Sequence, residues 1–196
     1  MAISKTRCTW CQDTFEQYID YHDNEWGVPV FDDQIHFEFL VLESAQAGLS
    51  WSTILKKREG YRQAFAHFDV EKVARFNEQK VQVLLDNSGI IRNELKIRSA
   101  INNAQKFIEI QEEFDGFCNY IWSFVDGEAI QNNWKSQEEV PATTPLSDRF
   151  SKDLKDRGFK FVGSTTMYAH LQATGIVNDH LTSCYRHTQI KGLSKH

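Results

Sequence analysis

The chain has 196 residues, enough for one domain with a real core, and its 41% hydrophobic and 13% aromatic content excludes a disordered polypeptide. Lys and Arg number 22 against 27 Asp and Glu, a net charge of −5 that weighs against a uniformly basic nucleic-acid binder. No apolar run approaches the roughly 18 residues of a membrane span, Met1–Arg7 is polar rather than a signal segment, and four scattered cysteines do not make a secreted disulfide framework, so a cytoplasmic chain without membrane contact is expected.

Few prolines and a recurring three-and-four apolar spacing predict an all-α fold. From Gln12 to Glu43 there are nine acids and no Lys or Arg, so the rest of the chain is mildly basic. Asp32-Asp33 can cap a helix carrying Phe37, Leu40, Val41 and Leu42, with Gly48 as its stop. Ser50 can cap the next, with Trp51, Ile54, Leu55 and Phe65 along it, and Asp69 and Asn77 can cap two short helices. Ile97, Ala100, Ile101, Ala104, Phe107 and Ile108 form the clearest helical stripe, and Phe117, Tyr120, Ile121 and Phe124 predict another helix after Asp115-Gly116. The polar stretch Asp126–Thr144 reads as a long surface connection. Ser147 is the expected cap of a helix containing Phe150 and Leu154 that stops at Gly158, Phe159–Gly163 is the one strand-like run, and Tyr168 and Leu171 belong to a last core helix ended by Gly175. No repeat and no cleavable domain boundary is visible.

Three constellations can carry chemistry. Leu84–Arg92 places Gly89 in a tight turn between two helical segments. It reads as a helix-hairpin-helix whose backbone N–H groups hold a phosphate, helped by Arg92, Lys96 and Arg98, although the same pattern fits an ordinary helix corner. His180 and Cys184 stand four residues apart, on one face if helical, and Cys8, Cys11 and His22 could complete a tetrahedral zinc site joining the chain ends. Trp10, Tyr18, Tyr21, Trp26 and Trp51 around the acid-rich block could sandwich a flat cationic ring, or could equally pack the core. Glu43 lies in the apolar stretch Phe39–Ala45, where an ionised carboxylate needs a partner.

Taken together, these residues resemble the bacterial 3-methyladenine DNA glycosylase I family. Tyr21-His22-Asp23-Asn24-Glu25-Trp26-Gly27-Val28-Pro29 resembles its N-terminal signature, and Leu42-Glu43-Ser44-Ala45-Gln46-Ala47-Gly48-Leu49-Ser50-Trp51 its pocket segment. Gly89–Arg92, Arg157–Gly163 and Val177–His180 also correspond, so the resemblance runs from Arg7 to Cys184. It implies the all-helical helix-hairpin-helix glycosylase fold as a single domain of two lobes. Residues from about 50 to 115 form one lobe, and about 1–49 with 116–196 form the other, stapled by structural zinc. Arg7-Cys8-Thr9-Trp10 looks like the family's first-ligand segment, which implies Cys8, His22, His180 and Cys184 as ligands. The spacing from Cys8 to His22 is one residue longer than the family's, which keeps Cys11 as a rival.

The resemblance further implies double-stranded DNA containing 3-methyladenine as substrate, with no obligate protein partner. Trp10, Tyr18, Tyr21 and Trp51 would hold the flipped base, the surrounding carboxylates would favour its positive charge, and Glu43 would be the base-reading catalytic residue. Gly48 and Leu49 resemble the family's probe of the gap in the stack. Gly89, Ile91, Arg92 and Lys96 are the expected DNA contacts. Water is expected to attack the sugar with no lysine nucleophile, and Glu112, Glu113 and Asp115 read as a solvated helix end. The alternatives are a zinc-stabilised module that binds damaged DNA without cutting a bond, and a glycosylase for another alkylated base such as 7-methylguanine.

Overall fold

A computed structural model describes residues 5–12 and 14–193; the polar start Met1–Ser4, Asp13 of the acid block and residues 194–196 lie outside the described residues. A short 3-10 turn, Thr9–Cys11, precedes α1 (Glu16–Asn24), α2 (Asp33–Gln46), α3 (Trp51–Ala64), α4 (Val70–Ala74), α5 (Glu78–Asp86), α6 (Glu94–Phe114) and α7 (Phe117–Ser123). They are followed by α8 (Pro145–Asp156), α9 (Ser164–Ala173) and α10 (Tyr185–Leu193). The mostly helical expectation holds, and among the described residues no helix is long and apolar enough to cross a membrane.

Helix α2 is the hub. Every residue from His36 to Ala45 is buried, the polar His36, Glu38, Glu43 and Ser44 included, so α2 is enclosed on all sides. It packs on α3, α6, α7 and α9. Phe37 meets Phe107 of α6 edge-on at 5.4 Å, and Phe107 stacks on Phe117 of α7 at 4.2 Å. One buried cluster continues from these rings through Leu84 and Ile97 to Phe150, Met167 and Leu171. The Asp32 side chain accepts from the amides of Gln34 and Ile35 and so caps α2, while Asp33 reaches across to the amides of Phe117 and Cys118 at 2.8 Å and fixes the start of α7.

Three expectations need correction. Helix α8 begins earlier than Ser147 predicts: Thr144 is the N-cap, Pro145 takes the first turn and Ser147 returns a bond to Thr144 in a capping box. The run Phe159–Gly163 is not a strand. Asn103 of α6 takes the place of a partner strand, accepting from the Lys160 amide at 2.8 Å and donating to its carbonyl at 2.9 Å, and Phe161 sits in the left-handed region with φ 57°. The connection 126–144 does run over the surface, as expected, and is pinned where β1 (Ile130–Gln131) pairs in parallel with β2 (Val177–Asn178). The segment His180–Cys184 is a turn leading into α10, a helix the sequence reading lacked, and not itself helical.

Candidate active site and metal centre

Helix α1, the end of α2, the start of α3 and helix α9 enclose a cavity of about 200 Å³. Trp10, Tyr18, Tyr21, Trp26 and Trp51 line it, so every aromatic singled out in the sequence reaches one place. Trp10 lies 5.4 Å from Tyr18 and 5.0 Å from Trp26, and Tyr21 lies 5.4 Å from Trp51. Tyr21 is almost wholly buried, and burial with Glu43 nearby pushes its phenol well above the ordinary range, so it stays a donor. The indole N–H of Trp51 is buried without a partner among the described residues.

Glu43 is 3% exposed and forms part of the cavity wall. Its Oε2 lies 2.8 Å from His170 Nδ1; His170 Nε2 lies 3.2 Å from His36 Nδ1; and His36 Nε2 faces the Val30 carbonyl at 3.3 Å. Burial raises the Glu43 carboxyl well above its usual range and pushes His170 down to about 3. Burial, reinforced by His170, also lowers His36 to about 3, although Val30, Asp33 and Asp32 pull the other way.

The acid block does not surround the cavity as expected. Of its described members only Glu43 lines the wall. Glu38 and Glu25 are bound by Arg58 at 2.7 Å each, and Asp23 by Arg7. The other cavity acid is Asp179, which sequence reasoning passed over together with Gln46, Ala169 and Gln172. Asp179 is 2% exposed and receives Asn132, Trp134, Tyr168 and Gln172. Its sequence signal was its place within the segment Val177–His180, where it was given no role.

Cys8, His22, His180 and Cys184 are all buried, with ligand atoms within 4.8 Å of one another. Cys8 Sγ lies 3.5 Å from His180 Nδ1, and Cys184 Sγ lies 3.5 Å from His22 Nε2 and 3.6 Å from His180 Nδ1. Nitrogen and sulfur ligands on a tetrahedral zinc are about 3.6 Å apart, so the donor set and its spacing fit that ion. The outer nitrogens are oriented too: His22 Nδ1 on Asp23 at 2.9 Å and His180 Nε2 on the Trp26 carbonyl at 2.9 Å. Cys11 is not in the cluster; its thiol donates to the Cys8 carbonyl.

Gly48, at φ 77°, and Leu49, 40% exposed, follow α2 at its exposed end. Lys96 reaches this turn, donating to the Ala45 and Ala47 carbonyls at 2.8 and 2.6 Å, so its ammonium is engaged inside the chain. In the turn between α5 and α6 the Gly89 amide is taken by Asn87 and the Ile91 amide by the Tyr61 hydroxyl, leaving fewer free N–H groups than the sequence suggested. Arg92 is exposed and makes no ion pair among the described residues, whereas Arg98 is bound by Glu78 and Glu94.

A family model described as methyladenine glycosylase matches residues 10–187. The DNA-3-methyladenine glycosylase 1 of Escherichia coli is 47% identical over 179 residues, 91% of this chain and 95% of that protein. A crystal structure of 3-methyladenine DNA glycosylase I superposes with a TM-score of 0.88 at 47% identity, covering 92% of this chain and 98% of that one. A 35% identical variant of such an enzyme, solved in complex with 3-methyladenine, gives a TM-score of 0.88 over 91% of this chain and 96% of its own.

Proposed function

The chain belongs to the methyladenine glycosylase family and is a DNA-3-methyladenine glycosylase, and from that premise we propose that it removes the flipped base by hydrolysis, without lyase chemistry, and leaves an abasic site. The observation that carries the reading is Glu43, buried at the wall of an aromatic cavity with one oxygen held by His170 and the other without a hydrogen-bond partner among the described residues, available to a base.

Methylation at N3 makes the adenine cationic, so the glycosidic bond is weakened and the base departs neutral. Extraction from the duplex is the harder task, at a cost of about a few kcal/mol that poor pairing of the damaged base reduces. The rings of Trp10, Tyr18, Tyr21 and Trp51 receive the flipped base by stacking. Glu43 accepts from its exocyclic amino group; guanine offers a carbonyl oxygen there, setting acceptor against acceptor in a dry site. Water attacks the sugar, in keeping with a cavity lining that includes no lysine among the described residues. Leu49 on its Gly48 hinge fills the gap in the stack.

Helices α5 and α6 with their turn serve as a helix-hairpin-helix, where Gly89, Ile91 and Arg92 approach a phosphate of the double-stranded substrate and Lys96 holds the Leu49 turn in place. Cys8, His22, His180 and Cys184 would bind zinc as a structural staple, since four protein ligands leave no open position for substrate. The molecule then divides into a lobe of about residues 50–115 and a zinc-stapled lobe of the two terminal portions, working in the cytoplasm. Incubation with methylated DNA is expected to release free 3-methyladenine. A protein that binds the lesion and releases no base would instead be a recognition module, and release of 7-methylguanine in its place would change the substrate.

A further inference from the structure

Two lysines beside the Leu49 and Gly89 turns end on main-chain carbonyls rather than on carboxylates. Lys96 Nζ donates to the Ala45 and Ala47 carbonyls at 2.8 and 2.6 Å, and Lys57 Nζ donates to the Ser88 carbonyl at 2.7 Å. The place of Lys96 runs against its own helix. It is the third residue of α6, where the aligned peptide dipoles put positive potential and favour an acid. Its charge answers the opposite end of another helix. α2 ends at Gln46 with no basic residue in its last turn, and its final carbonyls have no intrahelical donor. The Leu49 amide donates to the Gln46 carbonyl at 2.6 Å, and Lys96 serves Ala45 and, just beyond the helix, Ala47. The C-terminal cap of α2 is thus supplied from α6.

This cap fixes a turn whose own side chain is left clear. Gly48 stands at φ 77° with open space on its Cβ side, and Leu49 is exposed. The Gly89 turn is held from the other direction. Lys57 reaches its Ser88 carbonyl, and the Tyr61 hydroxyl accepts from the Ile91 amide at 3.2 Å. Lys57 and Tyr61 lie on α3, the helix that leaves the Leu49 turn, and Lys96 lies on α6, the helix that leaves the Gly89 turn. Each turn is therefore tied to the helix that follows the other.

We propose that Lys96 is a positioning residue of lesion recognition, with Lys57 as its counterpart. The two side chains lock the Leu49 turn, which enters the gap in the base stack, to the Gly89 turn, which meets a phosphate. The stack is then probed at one fixed distance from the strand contact. This rests on the glycosylase reading above and on the roles given there to the two turns. An ammonium engaged inside the chain adds no phosphate contact, which separates Lys96 from Arg92.

Lys96→Met keeps an apolar stem of similar length and removes the donor. Three measurements read it: the salt slope of duplex binding, the affinity ratio between a duplex with one abasic-site analogue and an undamaged one, and the affinity for free 3-methyladenine by tryptophan fluorescence. The slope is expected to stay within about 0.3 of wild type. The ratio is expected to fall about tenfold, and free-base affinity to stay within about twofold. Lys96→Arg, which can donate to both carbonyls, should restore most of the ratio. An unchanged ratio, a slope reduced by about 0.9 as for a phosphate contact, or a free-base affinity that falls as far as the ratio would each overturn the proposal.

A double-mutant cycle reads the coupling to the probe. With Leu49→Ala in place, Lys96→Met is expected to lower the ratio by less than about twofold more, and a full further loss would mean that Lys96 does not act through the turn. If Lys96→Met does not fold, Lys57→Met decides on the same measurements. Its ratio is expected to fall about threefold, less than for Lys96 because its bond to Ser88 is exposed to water, and an unchanged ratio would sink the proposal. A wild type that releases no 3-methyladenine from methylated DNA would instead defeat the glycosylase reading.

Discussion

Gly60 of α3 and Gly89 of the turn between α5 and α6 meet backbone to backbone: a methyl group added at Gly60 would overlap the carbonyl of Gly89. Neither hydrophobic periodicity nor capping marks Gly60, because its constraint comes from a chain segment far away in sequence. Gly60→Ala is expected to destabilise the protein by about 1–3 kcal/mol through overpacking, and to weaken duplex binding because the turn is displaced. Gly192 in α10 has open space at the same position, so Gly192→Ala should be stabilising by about 0.5–1 kcal/mol. Urea unfolding of both variants checks the contrast.

The metal prediction separates two cysteines that the sequence left in competition. Cys8→Ser is expected to purify without stoichiometric zinc and to melt well below wild type, while Cys11→Ser, outside the ligand cluster, keeps the ion. Asp23→Asn weakens the orientation of His22 and should lower zinc affinity by about 10–100-fold. Metal analysis together with thermal melts with and without chelator reads all three.

A pH effect follows from the buried histidines. His36 in the folded state is lowered to about 3 by burial and by His170, from an ordinary value of 6.5. The unfolded chain therefore takes up a proton below pH 6.5 that the folded chain refuses. The stability attached to this group is present above pH 6.5 and is lost as pH falls towards 3, at about 1.4 kcal/mol per pH unit. His36→Gln keeps a donor for Val30 and an acceptor for His170 without the titration. The difference in unfolding free energy between wild type and this variant is expected to shrink with that slope as the buffer is acidified, and a flat difference would contradict it.

Glu43 is expected to discriminate by hydrogen-bond pattern. Wild type should excise 3-methyladenine faster than 3-methylguanine by about a hundredfold or more, as a site built around one polar edge does. Glu43→Ala should lose most of its rate on the adenine lesion and little of its residual rate on the guanine lesion. Single-turnover rates on the two substrates test this; similar wild-type rates would remove the base-reading role.

What was legible in the chain was local or matched whole motifs. Asp32, Ser50, Asp69 and Asn77 cap their helices as their positions predicted, because a side-chain oxygen two or three residues from an amide is a short-range relationship. Ser147 misled because it is the last residue of a capping box rather than its first. Phe159–Gly163 misled because its partner is the amide side chain of Asn103, which no strand pattern announces. The aromatic residues, Glu43 and the Cys/His cluster were visible as chemistry in the sequence. The histidine pair behind Glu43 and the donors gathered on Asp179 were not, since both depend on His36, Tyr168 and Asn132, brought from separate segments.

Arg92 offers the most direct reading of the DNA interface. It is exposed beside the Gly89 turn and has no ion pair among the described residues, while Arg98 two turns along is occupied by Glu78 and Glu94. A free guanidinium can displace a condensed counterion from a phosphate, and one already neutralised gains less by doing so. Arg92→Ala is therefore expected to weaken binding to lesion-bearing and undamaged duplexes by similar factors and to reduce the slope of log K against log salt by about 0.9. Arg98→Ala should change the slope much less. Fluorescence anisotropy over a salt series measures both, and equal slope changes would mean that the Glu78 and Glu94 pairs do not keep Arg98 from the phosphate.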